Sequence, residues 1–238
     1  MAAPRTGTRE RILDAAEYLF ASKGFDGTST REIVARSGDT IGSVNYHFGS
    51  KNSLLDEVIR RRWNEVTEAR RQAYAAARTA SPNGKPSLEA VVESIVVPYM
   101  ERAMGRDKGW RSYSLLQGHL LYTPHFYKQF MMNKSEPTAR EFLGWLQEAL
   151  PGAGIKDIGY AYQFMIGIMA ESCAEVPVDR IKRITDGAAS SQDFEAVSTR
   201  LVRFIAAGIK ELCLAEAPSQ PSVSARKSKP QQQPPPGL

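Results

Sequence analysis

Between Gly42 and Leu55 the chain reads GSVNYHFGSKNSLL, which sets an asparagine, a tyrosine, a histidine and a lysine close together. Three chemistries suit those side chains: metal ligation, acid–base catalysis and hydrogen-bonded recognition. Ligation or general-base work by His47 needs a partner, such as a second histidine four residues away or a nearby carboxylate, and the stretch supplies neither. Recognition needs no such partner. Asn45 carries the paired donor and acceptor that match the edge of adenine, a contact worth ~1–3 kcal/mol of discrimination. Tyr46, His47 and Lys51 carry donors suited to phosphate oxygens. Thr40, Ile41, Gly42 and Ser43 precede them, and the small residues among these let a backbone come close to a duplex. Upstream, Thr28, Thr30 and Arg31 are grouped where a helix N-terminus would cross the sugar-phosphate backbone. Core packing is the competing use of Tyr46 and Phe48, and a solvated surface charge the competing use of Lys51.

The elements that must hold these residues are helical. From Thr8 to Lys23, Ile12, Ala15, Ala16, Leu19 and Phe20 recur at the spacing of one buried helix face, and Gly24 stops the helix. Two short helices follow, one opened by Ser29 or Thr30 and closed by Gly38, the other opened by Thr40 as N-cap. A glycine-containing link this short between two helices is the outline of a helix-turn-helix unit. Ala35 is small where the two helices are expected to cross, and Ile33, Val44 and Phe48 are expected to seal the underside. A long helix starts at Ser50 and fades at TASPNGKPS, so Thr79 to Ser87 reads as a boundary. Helical patterns continue near residues 88–104, 110–122, 125–149, 155–174, 179–186 and 191–214. Pro98 should kink the first of these, while Pro124 and Pro137 suit helix starts. The chain reads as all-α.

Its 238 residues carry a formal net charge of +5, which favours a polyanionic partner. Part of that excess lies in residues 217–238, a Pro/Gln-rich basic stretch with too little apolar content to order itself. Cys173 and Cys213 are too far apart for a zinc motif or a disulfide framework, so no metal and no cofactor are expected. The sequence shows no membrane span and no signal peptide, which points to the cytoplasm.

The residues TSTREIVARSGDTIGSVNYHFGSKNSLL, together with the preceding ILDAAEYLFASKGF, resemble the DNA-binding domain of the TetR family of bacterial transcriptional regulators. The resemblance covers Arg9 to about Val58. It implies a homodimer whose two heads grip a double-stranded DNA operator and whose helical bodies bind a small effector that releases the DNA. Residues 1–51 would form the head, with its core at 9–51, and residues 52–216 the effector-binding and dimerisation body. Asp39 and Ile41 stand where many members have a hydrophobic residue and a lysine or arginine. Asn45 stands where a tyrosine is common, as in a VNYHFGSK subset of which some respond to fatty acids or acyl-CoA esters.

Beyond Thr79 that likeness is architectural only, and the residues must be read directly. Trp110, Tyr113, Leu116, Gln117, His119 and Leu120 share one helical segment, Phe142 and Trp145 a second, and Phe164, Met165 and Met169 a third. Such residues ordinarily make core, yet together they could line an apolar pocket with a few orienting polar groups. Dimerisation is expected from two helices carrying Ile158, Tyr162 and Ile166, and Leu201, Phe204, Ile205, Gly208, Ile209 and Leu212, the latter covering more than one face. The sequence has no nucleophile–base pair, phosphate loop or HExxH, so an enzyme is not expected. A second reading keeps the DNA-binding head but gives the body a protein partner, as in an architectural or partner-recruiting factor.

Overall fold

The computed structural model describes residues 7–174 and 176–214. The tail expected from residue 217 lies outside the described residues. The elements are α1 (Thr8–Lys23), α2 (Thr30–Ser37), α3 (Ile41–Phe48), α4 (Lys51–Ala80), α5 (Leu88–Ala103), α6 (Lys108–Tyr122), α7 (Pro124–Phe126), α8 (Met132–Ala149), α9 (Ile155–Ala174), α10 (Arg180–Ile184) and α11 (Phe194–Leu214). Among the described residues there is no strand.

The local rules hold well in the first fifty residues. Ile12, Ala15, Ala16, Leu19 and Phe20 of α1 are all buried. Ser29 accepts from the Glu32 backbone N–H while Glu32 accepts from the Ser29 N–H, a reciprocal cap that fixes where α2 begins. Gly38 ends α2 with φ 75° and ψ 22°, a left-handed conformation that a side chain would oppose. Thr40 then caps α3 by accepting from the Ser43 N–H. Ile33, Val44 and Phe48 are buried as expected, whereas Ala35 is exposed, so the crossing of α2 and α3 does not run over it.

Three expectations are corrected. Pro137 does not start a helix but lies inside α8, whereas Pro98 lies inside α5, the helix in which it was expected. The helix expected over 125–149 is broken by a π-helical turn, Tyr127–Met131. The segment around Pro82–Gly84 is a tight 3₁₀ turn joining α4 to α5, which pack against each other. It therefore connects two helices of one core.

The described residues form two hydrophobic cores. One holds α1, Ile33, Val44, Phe48 and the first half of α4 (Leu54, Leu55, Val58, Ile59), together with Leu116 and Leu120 of α6 and the adjacent Phe130 and Met131. The other gathers Val66 and Tyr74 of α4 with apolar residues of α5, α6, α8, α9 and α11. Packing shows no break at residue 51, because α4 serves both cores. Phe25, in the turn after α1, touches Phe126 and Phe130, with ring centroids 5.8 and 5.9 Å away.

Between the cores lies a buried ion-pair network. Glu17 of α1 accepts from Arg61 Nη2 at 2.6 Å and from Arg62 Nε and Nη2, both at 2.9 Å. Arg62 also lies over the Trp110 ring of α6, 5.1 Å from its centroid. Removing one partner from such a group leaves charge uncompensated in a dry place. We expect Glu17→Ala to cost about 3 kcal/mol in denaturant unfolding, near the low end for a buried pair, because Arg61 retains Asp14 and Arg62 retains Asp107.

Candidate nucleic-acid interface and effector cavity

α3 buries Val44 and Phe48 and turns the rest outward. Ile41, Gly42, Asn45, Tyr46 and His47 are exposed, Tyr46 by 85%. Tyr46 and His47 meet edge to face at 5.0 Å. Thr40 Oγ1 and Ser43 Oγ lie 3.0 Å apart, so each orients the other's hydroxyl. A Cβ added at Gly42 would meet only Thr40 Oγ1, at 3.6 Å. Nothing inside the molecule requires glycine there, and the bare backbone faces outward. Arg31 is exposed in the first turn of α2, and Thr30 beside it is half-buried. The start of α4 adds exposed Ser50 and Asn52. Ser50 accepts from the Ser53 N–H at 3.1 Å. Asn52 carries no signal in the sequence beyond following Lys51.

Two residues expected at the DNA make contacts inside the head. Thr28 is buried, and its hydroxyl donates to Leu19 O at 3.1 Å and to Gly24 O at 2.8 Å, closing the turn after α1. Lys51 donates to Phe25 O at 3.0 Å and Thr28 O at 2.9 Å, and its ammonium lies 4.2 Å from the Phe25 ring centroid. It is a clamp on the same turn. Asp39, unusual in the family pattern, is turned inward as well. It accepts from Arg11 Nη2 at 2.6 Å, and this guanidinium holds its carboxyl below the ordinary carboxylate range. The missing hydrophobic residue is thus replaced by a tie to α1.

In the body, a cavity of about 310 Å³ opens between α5, α6 and α9, lined among others by Tyr99, Gln117, Leu121, Ile166, Met169 and Cys173. Of the residues expected to line a pocket, Gln117 and Met169 do so. Leu116 and Leu120 do not, because they face α1 and fill the head's core. Trp110, Tyr113, Phe142, Trp145 and Met165 are packed inside the body core, and Trp145 stacks flat on Tyr74 at 4.1 Å. His119 is exposed and does not line the cavity. Ile166, expected at a dimer face, lines the cavity instead. Burial pushes the Cys173 thiol up to about 12, so it stays protonated and unreactive at neutral pH.

A second apolar surface lies on α9 and α11. Phe204 is 67% and Phe164 54% exposed, with Leu212 and Gly208 beside them. Tyr160 stacks on Phe164, 6.2 Å between centroids. Phe164, expected in the pocket, belongs here. Conversely Ile158, Leu201, Ile205 and Ile209 are buried within the chain's own core, and Tyr162 packs against that core. Ile205 and Ile209 also line the floor of the groove between Phe164 and Phe204. Among the described residues no group of three histidines, cysteines or carboxylates is arranged to hold a metal, and no helix is long and apolar enough to cross a membrane.

The family described as bacterial regulatory proteins of the tetR family matches residues 12–58, and a tetracyclin repressor-like C-terminal domain matches residues 93–208. The chain belongs to the TetR family. TetR relatives with this head include the HTH-type transcriptional repressor KstR2 of Rhodococcus jostii, 33% identical over 88 residues, or 37% of this chain and 41% of that protein. The HTH-type transcriptional regulator LmrA of Bacillus subtilis is 35% identical over 89 residues, 37% of this chain and 45% of that protein. The chain thus spans less than half the length of these two relatives. The whole TetR fold recurs in the regulator FadR of Bacillus subtilis, solved in complex with stearoyl-CoA, with a TM-score of 0.61 at 14% identity over 84% of this chain and 98% of that one. It recurs also in KstR2 of Mycobacterium tuberculosis, with a TM-score of 0.55 at 16% identity over 87% and 97% of the two chains.

A TetR head with this surface separates DNA contacts from structural ones by experiment. Arg31→Ala is expected to lower the slope of log affinity against log salt by about 0.9 and leave the melting temperature unchanged. Lys51→Ala is expected to lower the melting temperature instead, because it opens the turn. Gly42→Leu should leave the fold intact and weaken operator binding at least tenfold. Electrophoretic titration alongside calorimetry checks all three.

Proposed function

We propose that this TetR-family protein is a transcriptional repressor that binds a near-palindromic operator as a homodimer and is released by a small hydrophobic effector. The observation that carries the reading is the continuity of α4, which lies under the exposed recognition helix at one end and runs into the core beside the cavity at the other. A ligand that favours one packing of the body over another then shifts the head through a rigid element. Couplings of about 1–3 kcal/mol are typical, enough for a 5- to 150-fold loss of operator affinity.

On DNA, α3 would enter the major groove with Asn45 at a base edge and Thr40, Ser43, Tyr46, His47, Thr30 and Arg31 along the backbone. Ile41 and Gly42 would pack close to the groove. Two heads related by a twofold would sit about 34–36 Å apart, on successive major grooves. The exposed apolar surface of Phe164, Phe204, Gly208 and Leu212 is the patch that would pair with its own copy. Residues 1–51 supply the reading surface and residues 52–216 the sensing and pairing surfaces, with α4 shared between them. The work is binding and release, without catalysis, in the cytoplasm where DNA is reached.

Fatty acids and acyl-CoA esters are the effector classes to try first. The VNYHFGSK pattern and the stearoyl-CoA complex of the FadR neighbour both support them. A gel-shift titration on the promoter of the protein's own gene should show binding without effector and release with one of a panel of acids and esters. Binding that no metabolite relieves would favour a body that recruits protein. Phe164→Glu and Phe204→Glu are each expected to give monomers in analytical ultracentrifugation and to weaken operator binding more than tenfold. Leu201→Ala should instead lower the melting temperature of a protein that still dimerises.

A further inference from the structure

Arg70 is a charge in an expensive place. It sits on α4, 5% exposed, in the midst of the body core. Its Nε donates to Ile95 O at 2.7 Å, and its Nη2 reaches only a thioether, Met169 Sδ at 3.6 Å. The rings of Tyr99 and Phe142 lie 5.6 and 5.5 Å from the guanidinium carbon. Among the described residues no carboxylate pairs with it: burial opposes its charge, and the groups around it are the hydroxyls of Tyr162, Tyr99 and Tyr113 and the Cys173 thiol. Other arginines of the same helix, Arg61, Arg62 and Arg71, pair with Glu17 or Glu141. A buried guanidinium without an anion opposes folding, and a sulfur is a weak acceptor for it.

Two further polar atoms nearby lack partners. Tyr113 is 1% exposed, and its hydroxyl has no hydrogen-bond partner. Gln117 Oε1, one helical turn along α6 on the cavity wall, is buried and equally unmatched. A 180° turn of the amide would present its N–H instead. Native interiors seldom leave such atoms bare without a use. The cavity's wall includes Tyr99, Met169 and Cys173, and all three contact or act on Arg70. Met169 is the flexible partition between the cavity and the charge.

We infer that the effector is an apolar monocarboxylic acid whose carboxylate displaces the Met169 thioether and pairs with Arg70, helped by the Tyr113 hydroxyl and the Gln117 amide. This rests on the cavity being the effector site. A carboxylate accepts two hydrogen bonds from one guanidinium and further ones from a phenol, so it matches the donors present. The cavity volume of about 310 Å³ lies at the lower end of small-molecule sites, which suits a compact or medium-length acid. A CoA thioester lacks the charge at that atom, so the free acid is the form that fits. Because Arg70 belongs to α4, trading Met169 for a ligand alters an α4–α9 contact on the helix that carries the head.

The test uses the full-length protein and straight-chain saturated acids of eight to fourteen carbons, each beside its primary alcohol and its CoA thioester. Calorimetric Kd and operator release are both measured. The expected result is that acids bind at least tenfold more tightly than the matching alcohols and thioesters. Arg70→Met should remove that preference, read as the ratio of acid to alcohol Kd within the variant, and Tyr113→Phe should reduce it several-fold. Tyr113→Phe deletes only an unpartnered oxygen, so it reports on the site even if Arg70→Met fails to fold. Alcohols or thioesters that bind and release operator as well as acids would overturn the carboxylate assignment and leave the repressor reading standing. Acid binding unchanged in both variants would also overturn it. If no compound of the panel binds up to millimolar concentration while operator binding persists, the carboxylate assignment and the hydrophobic-effector reading fall together.

Discussion

A helix packed into two cores cannot shift in one without disturbing the other, and α4 is such a helix. Leu54, Leu55, Val58 and Ile59 fix its first half beneath the recognition helix, and Val66, Arg70 and Tyr74 fix its second half in the body. Between those two grips stand Arg61 and Arg62, tied to Glu17 of α1. The exposed face of α3 lies over one of those cores and the cavity beside the other. Its length, Lys51–Ala80, carries it from one core into the other.

The protein handles buried charge in two ways along this helix. Near the head, Glu17 meets two guanidinia at hydrogen-bonding distance, an arrangement that locks α1, α4 and, through Trp110, α6. In the body, Arg70 has aromatic faces, one carbonyl and a sulfur. The first supplies its guanidinia with a carboxylate, though Arg61 Nε stays unpaired. The second is incomplete, and an incomplete polar site inside an otherwise well-packed core is where a ligand gains most from supplying the missing group.

Much of the head was legible because its signals are local. The spacing of Ile12 to Phe20, the cap at Ser29, the left-handed Gly38 and the cap at Thr40 each act within a few residues. Thr28 and Lys51 misled because their partners are carbonyls reached across a turn, which no local pattern marks. In the body, helical spacing shows that a residue is buried without saying in which core: Leu116 and Leu120 share a helix with Tyr113 yet face α1. The stripe Leu201, Ile205, Ile209 and the stripe Phe204, Gly208, Leu212 have the same four-residue step, and the packing of α11 on α5 and α9 decides which turns inward. Arg70 was invisible, since an arginine in a run as charged as RRRWNEVTEARR reads as one more solvated side chain.

Phe25 shows how such a head could move without breaking. Its ring rests against Phe126 and Phe130, contacts with no directional bonds. On the flank of α4, by contrast, Trp63 donates to Thr138 at 3.3 Å and Lys134 pairs with Asp56, links that hold only in one alignment. A shift of α4 against α8 would therefore have to give up those polar links, whereas the ring contacts of Phe25 tolerate sliding.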